Sequence, residues 1–162
     1  MTDTPQQGRL VILATLCVAL LLTIMPIPDW ARHFRPAWVA LILIYWAMAL
    51  PHRVGIGVAF ATGIMLDVIS GTLLGQHALG LAVIIYITLH LHQRVRLFPA
   101  WQQSLVVLAL LLLDHMLNLW VIGLTREHPP GLEYWIAPLV GMLLWPWVFV
   151  LLRDLRRRFQ VS

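Results

Sequence analysis

The chain has 162 residues, of which 60% are hydrophobic and 11% are charged, whereas about a quarter of the residues in an ordinary soluble domain are charged. This composition excludes a soluble globular domain and indicates a protein that lies in lipid. All 11 basic residues are arginines, and four of them follow the last apolar run: Arg153, Arg156, Arg157 and Arg158. A basic cluster in this position predicts contact with anionic lipid headgroups rather than nucleic-acid binding.

Six apolar segments are long enough, or nearly so, to cross a bilayer as helices. A helix rises about 1.5 Å per residue and the hydrocarbon core is about 30 Å thick, so one crossing takes about 20 apolar residues. The segments are residues 10–27, 36–50, 54–70, 73–91, 104–124 and 135–152. No small-residue cleavage pattern follows the first segment, so it is predicted to remain as an anchor. We therefore predict an all-α chain that forms one integral membrane domain over residues 1–162.

The second and third segments are the shortest of the six. Only Pro51, His52 and Arg53 separate them, which predicts that the two helices form a tight hairpin. Because both are a little short for a full crossing, a chain of five spans with one re-entrant segment is the alternative.

The distribution of arginine favours six spans, because short cytoplasmic loops carry an excess of positive charge. Six spans with both ends in the cytoplasm put eight arginines inside and three outside. The inner set is Arg9, Arg53, Arg94, Arg96, Arg153, Arg156, Arg157 and Arg158, and the outer set is Arg32, Arg35 and Arg126. We therefore predict six transmembrane helices with both termini in the cytoplasm.

Polar side chains inside the apolar segments need a physical reason, because charged groups in a membrane helix are costly and usually face the interior of the bundle. Asp114 and Asn118 are four residues apart and share a helix face, which predicts a hydrogen-bond cluster between helices. A proton relay through Asp114 and His115 is the functional alternative. Asp67 lies near the end of the third segment and is interpreted as a neutral or helix-capping carboxyl that bonds near the turn at Ser70 and Gly71.

Two intramembrane aspartates also raise the hypothesis of a protease, in which paired carboxylates share a proton and activate water. The run Gly63-Ile64-Met65-Leu66-Asp67 lacks the second glycine that presenilin-like proteases place two residues before their aspartate. The asparagine-rich motifs of lipoprotein signal peptidases are missing from the sequence as well. No metal-ligand spacing, phosphate loop or serine nucleophile motif is present. We therefore predict a protein that is no enzyme and needs no cofactor.

Glycine is concentrated in one stretch of the sequence, residues 55–80, which contains Gly55, Gly57, Gly63, Gly71, Gly75 and Gly80. Small residues let membrane helices approach closely, and Gly71 and Gly75 have the four-residue spacing of close crossings. The pair straddles a predicted turn, so a flexible connector is the alternative reading.

Six short motifs lie at or near the ends of the apolar segments. They are Phe34-Arg35-Pro36-Ala37-Trp38, Leu50-Pro51-His52-Arg53-Val54-Gly55, Gly63 with Leu66-Asp67, Ile69-Ser70-Gly71 with Leu74-Gly75, Trp101-Gln102-Gln103-Ser104 and Leu144-Trp145-Pro146-Trp147. In order and spacing they resemble the MreD family of proteobacterial rod shape-determining proteins over nearly the whole chain. The resemblance implies a non-enzymatic inner-membrane subunit of the cell-elongation machinery. Family members work with the bitopic protein MreC and, through it, with the actin-like MreB and the peptidoglycan synthase pair of RodA and its transpeptidase.

The family's membrane fold is similar to that of the substrate-binding subunits of energy-coupling-factor transporters. That similarity implies a second hypothesis, a small-molecule or lipid-binding subunit with a pocket between its helices. A scaffold would hold a partner helix through exposed small and aromatic residues, whereas a binding subunit would enclose a cavity with convergent polar groups. The candidate partner or structural residues are Arg35, Pro36, Arg53, Gly63, Asp67, Gly71, Gly75, Asp114 and Asn118.

Overall fold

A computed structural model describes residues 5–125 and 131–161, and this part of the chain contains six α-helices and two short 3-10 helices. The α-helices are α1 (Pro5–Ile24), α2 (Trp38–Ala49), α3 (Ile56–Ser70), α4 (Gln76–Val95), α5 (Ala100–Thr125) and α6 (Ile136–Arg158). The 3-10 helices Asp29–Phe34 and Leu132–Trp135 lead into α2 and α6. The predicted all-α class and the number of six helices are confirmed. Arg126, predicted on the outer side, lies outside the described residues.

Four helical stretches are long and apolar enough to cross a membrane: Gln6–Ile24, Gln76–Val95, Ala100–Thr125 and Leu132–Arg158. The other two helices, α2 and α3, have 12 and 15 residues. At about 1.5 Å per residue they span about 18 and 22 Å, less than the hydrocarbon core of about 30 Å. The described residues therefore provide four helices of crossing length, against the six crossings predicted from hydropathy.

The helix ends differ from the predicted ones because hydropathy marks the apolar run and not the helix. α1 runs from Pro5 to Ile24 instead of residues 10–27, since Pro26 disfavours helical backbone at the residue before it. α4 and α6 continue to Val95 and Arg158, beyond the predicted ends at 91 and 152. Their last turns carry histidine and arginine, which favour the C-terminal end of a helix.

The helix α2 lies at the centre of the bundle, where it packs against α1, α4, α5 and α6. Residues 39–48 of this helix are all buried, as expected for a helix that is apolar all round. Trp46 is fully buried, and its indole N–H donates to the Thr15 hydroxyl oxygen of α1 at 3.0 Å. This bond satisfies the polar atom of a side chain that otherwise only packs.

The predicted hairpin between the second and third segments is wrong in its packing. α3 packs mainly against α4, whereas its contact with α2 is slight at most. A Cβ added to Gly63 would overlap the backbone of Ala78 in α4, so the close approach of these helices depends on glycine. Gly71 and Gly75 have φ angles of 69° and 97° and shape the turn between α3 and α4.

The two ends of the bundle differ in charge. Gly8 lies next to Arg53 and Val161, so the start of α1, the turn after α2 and the end of the chain meet at one end. This arginine-rich end carries Arg9, Arg53, Arg94, Arg96, Arg153, Arg156, Arg157 and Arg158. The opposite end, here the acidic end, carries Asp29, Asp67, Asp114 and Glu133, with Arg32 and Arg35, among the described residues.

Candidate functional site

Asp67 is fully buried near the end of α3, and its carboxylate receives hydrogen bonds from the beginning of α4. The backbone N–H groups of Gly75 and His77 donate to its two oxygens at 2.8 and 2.9 Å. The Thr72 hydroxyl donates at 2.9 Å, and the His77 Nδ1 atom lies 2.7 Å from Oδ1. Because the first N–H groups of a helix lack partners within it, the carboxylate caps α4 and meets the positive end of its dipole.

The backbone of Asp67 also closes the helix that precedes the turn. Its carbonyl oxygen accepts from the N–H groups of Gly71 and, at 3.1 Å, Thr72, which is the usual closure of a helix before a left-handed glycine. One residue therefore holds both sides of the turn between α3 and α4. These are the bonds expected of the helix-capping carboxyl that the sequence suggested.

Arg35 closes the C-terminal end of α1. Its guanidinium donates to the backbone carbonyl oxygens of Thr23 and Met25. The last carbonyl groups of a helix lack partners within it, and a cation there is favoured by the helix dipole. The Nε atom of Arg35 is buried and has no hydrogen-bond partner among the described residues.

A cavity of about 300 Å³ lies at the acidic end, with walls from α1, α2, α3, α4, α5 and the beginning of α6. We call it the acidic-end cavity. Four predicted residues line it: Arg35, Pro36, Asp114 and Asn118. The wall also contains Trp38, Thr72, Gln76, His77, His115, Ile122, Tyr134 and Ala137. Asp67 is not part of this wall, but Thr72 and His77, which bond its carboxylate, are.

Asp114 and Asn118 line this cavity from α5, and both are buried. The Asn118 side-chain amide donates to the backbone oxygen of Asp114 at 2.8 Å, a bond within one helix. The prediction that these two side chains form hydrogen bonds between helices is therefore wrong for the described residues. Oδ1 of Asp114 and Oδ1 of Asn118 each have no hydrogen-bond partner among them. The close contact of Asp114 Oδ1 is Gly80 of α4. A buried polar atom without a partner costs about 1–3 kcal/mol, so a hydrogen-bond donor supplied at this position would stabilise the cavity wall.

His115 does not continue a hydrogen-bond chain from Asp114 in the part of the chain that the structure describes. Its Nδ1 atom lies 3.0 Å from the backbone oxygen of Leu111. The Tyr134 hydroxyl donates to the His115 backbone oxygen at 3.1 Å, and the two rings are 4.8 Å apart. Sequence reasoning missed Tyr134, although an aromatic residue just before the last apolar segment was a usable signal.

The remaining predicted residues lie away from the cavity wall. Gly63, Gly71 and Gly75 shape the crossing and the turn between α3 and α4, and Arg53 lies beside Gly8 at the arginine-rich end. Within residues 5–125 and 131–161, no group of three His, Cys, Asp or Glu side chains is arranged to hold a metal ion. The structure therefore separates a capped turn, a polar cavity beside it and a basic surface at the opposite end.

Comparison with known proteins gives one consistent result. A family model described as rod shape-determining protein MreD matches residues 5–155. The rod shape-determining protein MreD of Haemophilus influenzae is 35% identical over 153 residues, which are 93% of this chain and 93% of the relative. No solved structure matches the chain significantly. The matched region includes the Asp67 cap and the acidic-end cavity.

Proposed function

The chain belongs to the MreD family of rod shape-determining proteins, and on that premise we propose that it is a non-enzymatic scaffold of the cell-elongation complex. It is an integral membrane protein with a role in rod shape determination. In the proposed role it holds MreC, and through MreC it connects with MreB and with RodA and its transpeptidase. The observation that carries the proposal is the family match over residues 5–155. The proposed partner surface is the acidic-end cavity, in which Oδ1 of Asp114 and Oδ1 of Asn118 have no hydrogen-bond partner among the described residues.

The proposed topology has six spans in the inner membrane, with both termini in the cytoplasm. It is supported by the charge difference between the two ends of the bundle, because arginine is enriched on the cytoplasmic side. The short length of α2 is compatible with it, since a helix enclosed by other helices does not need to match the lipid thickness. Under this topology the acidic-end cavity faces the periplasm.

Partner binding is supported by the chemistry of the cavity wall. Trp38 and Tyr134 provide aromatic surface, and aromatic side chains are enriched in protein interfaces. Oδ1 of Asp114, which packs against Gly80, and Oδ1 of Asn118 have no hydrogen-bond donor among the described residues. A segment of MreC that displaced the contact with Gly80 would supply side-chain or backbone N–H groups. Binding would then remove the cost of two buried polar atoms in addition to burying apolar surface.

A second candidate function is favoured by the same cavity. A volume of about 300 Å³ is at the lower limit of small-molecule pockets, and its polar groups converge as a binding subunit requires. In this case the chain would bind a small molecule or lipid, as the substrate-binding subunits of energy-coupling-factor transporters do. Their fold similarity to this family is part of this second proposal.

Site-specific photo-crosslinking in cells separates the two candidates. A crosslinking residue replaces Ile122 of α5 or Ala137 of α6, both of which line the cavity. Matched controls replace Leu124 and Leu139, which lie two residues further along the same helices and are 72% and 49% exposed. The scaffold proposal expects crosslinks to MreC from positions 122 and 137 and weak or no crosslinks from 124 and 139.

Failure of the scaffold proposal has a clear signature in the same cells. MreC would be recovered from no position, and deletion of the chain would leave cell width normal. The second candidate would gain support if native mass spectrometry of the purified protein then found a bound small molecule that Asp114→Asn removes.

A further inference from the structure

A second cavity, of about 220 Å³, lies at the arginine-rich end between α2, α4, α5 and α6. We call it the arginine-end cavity. Its wall contains three arginines from two separate parts of the chain: Arg96, which follows α4, and Arg153 and Arg156 on α6. Tyr45, Met48, Ala49, Gln103 and Phe149 complete the wall. Three guanidinium groups around one small cavity form a strongly positive site.

Two of these arginines are held in place by contacts that leave donor groups free. Arg96 donates through Nε to the Met48 carbonyl oxygen at 2.6 Å and through one terminal nitrogen to that of Ala49 at 2.8 Å. An arginine has five N–H donors, so its remaining donors are unused by these two bonds. Arg153 lies over the Phe149 ring, with its Cζ atom 5.9 Å from the ring centre. Its Nε atom is buried and lacks a hydrogen-bond partner among the described residues.

The protein provides little negative charge to neutralise this site. Asp154 is the one carboxylate at the arginine-rich end in the described part of the chain. Its Oδ1 atom is 4.0 Å from Arg153 Nε, which is beyond hydrogen-bond distance, and its side chain is 66% exposed. The Arg96, Arg153 and Arg156 set therefore keeps an uncompensated charge, and an anion from outside the chain would lower its energy.

We propose that the arginine-end cavity binds the phosphate group of an anionic phospholipid. A phosphate presents several acceptor oxygens that match the planar guanidinium fork, and basic pockets between membrane helices are suited to such headgroups. The site lies where α6 passes from its apolar half, which ends near Leu152, into its arginine-rich last turns.

The same helix provides a matched control for charge. Arg157 and Arg158 are exposed and do not line the cavity, whereas Arg153 and Arg156 are half-buried in its wall. The double variants R153Q/R156Q and R157Q/R158Q lose the same charge from neighbouring positions. If the basic tail attracts the membrane only diffusely, lipid binding should weaken equally in both double variants. If the arginine-end cavity is a specific site, lipid binding should weaken in R153Q/R156Q alone.

The experiment measures lipid binding to the full-length protein in neutral detergent by native mass spectrometry, with phosphatidylglycerol as the anionic lipid and phosphatidylcholine as the zwitterionic one. The wild type should retain phosphatidylglycerol in preference to phosphatidylcholine. R153Q/R156Q should bind phosphatidylglycerol about thirtyfold more weakly, as expected from the loss of two charge contacts, and R157Q/R158Q should stay within about twofold of the wild type. Inorganic phosphate, added in excess, should compete only weakly.

Three results would overturn the proposal: equal loss in the two double variants, equal retention of the two lipids, or full displacement by inorganic phosphate at lipid concentration. The last would identify the site as one for a soluble phosphate instead. If R153Q/R156Q fails to fold, the single variant R156Q and the charge-preserving R153K replace it, and R153K is expected to keep the preference for phosphatidylglycerol.

Discussion

Asp67 and Asp114 are both buried carboxylates in the acidic half of the bundle, but their surroundings are opposite. Asp67 receives donors from Thr72, Gly75 and His77, whereas Oδ1 of Asp114 receives none among the described residues. The first belongs to a closed turn between two helices, and the second to a cavity wall in which its Oδ1 packs against Gly80. Burial alone therefore does not determine the role of a membrane carboxylate. Its role depends on whether backbone donors lie close enough to bond it.

The largest loss of stability is expected for Asp67→Ala, which would remove the acceptor from several buried donors at the beginning of α4. Each unsatisfied buried donor costs about 1–3 kcal/mol, so the free energy of unfolding should fall by about 3 kcal/mol or more. Unfolding in mixed detergent, followed by tryptophan fluorescence, measures it. The control Asp29→Ala removes an acidic side chain that is 90% exposed and paired with Arg32, and it should cost less than about 1 kcal/mol. Equal losses would contradict the assignment of Asp67 as a cap.

A smaller loss, about 2 kcal/mol, is expected for Gly63→Ala, because the new methyl group would overlap the backbone of Ala78 and force α3 and α4 apart. Gly57→Ala is the matched control in the same helix, since an added Cβ there meets no atom within 4 Å. That substitution should be neutral or stabilise the helix by up to about 1 kcal/mol. The same unfolding measurement applies. If Gly63→Ala were as stable as Gly57→Ala, the capped turn would not be supported by a tight helix crossing.

The smallest effect on stability is expected for Asp114→Asn, because Oδ1 of this side chain accepts no hydrogen bond from the described residues. Even formed bonds between membrane helices average only about 0.6 kcal/mol, so the change should stay below that. The recovery of MreC in co-purification should nevertheless fall, since the substitution changes the charge and donor pattern of the cavity wall. A destabilisation as large as that of Asp67→Ala would remove the contrast between the two carboxylates. Unchanged recovery of MreC would argue against a partner at this wall.

The features that could be predicted from the sequence are those that depend on residues close to one another in the chain. The six apolar runs became six helices, and the capping role suggested for Asp67 matches its bonds because the donors come from the turn just after it. The packing of α3 against α4 was not predictable from loop length, since a short turn sets the distance between two helix ends and not the faces that meet. The acidic-end cavity was not predictable either, because residues as distant as Arg35 and Tyr134 form one wall.

Hydropathy also could not distinguish an apolar residue that faces lipid from one that faces protein. Hydropathy identified α2 as a short apolar segment, but it did not show that other helices enclose this segment. Arg96 was likewise interpreted only as a charge that sets orientation, although it bonds the last turn of α2. That contact joins residues 48 apart in sequence, so no local pattern could reveal it.

The length of α2 accounts for the positions of the acidic-end cavity and the arginine-end cavity, one at each end of this helix. The helix is about 18 Å long, whereas the longer helices of the bundle can span a layer of about 30 Å. At its two ends together, about 12 Å of that depth is not filled by the backbone of α2. One cavity includes residues 37–40 at its beginning, and the other includes Met48 and Ala49 at its end. The acidic-end cavity and the arginine-end cavity both lie in the space that a short central helix leaves free. One helical turn added to α2 at either end is expected to fill the cavity at that end and to leave the other unchanged.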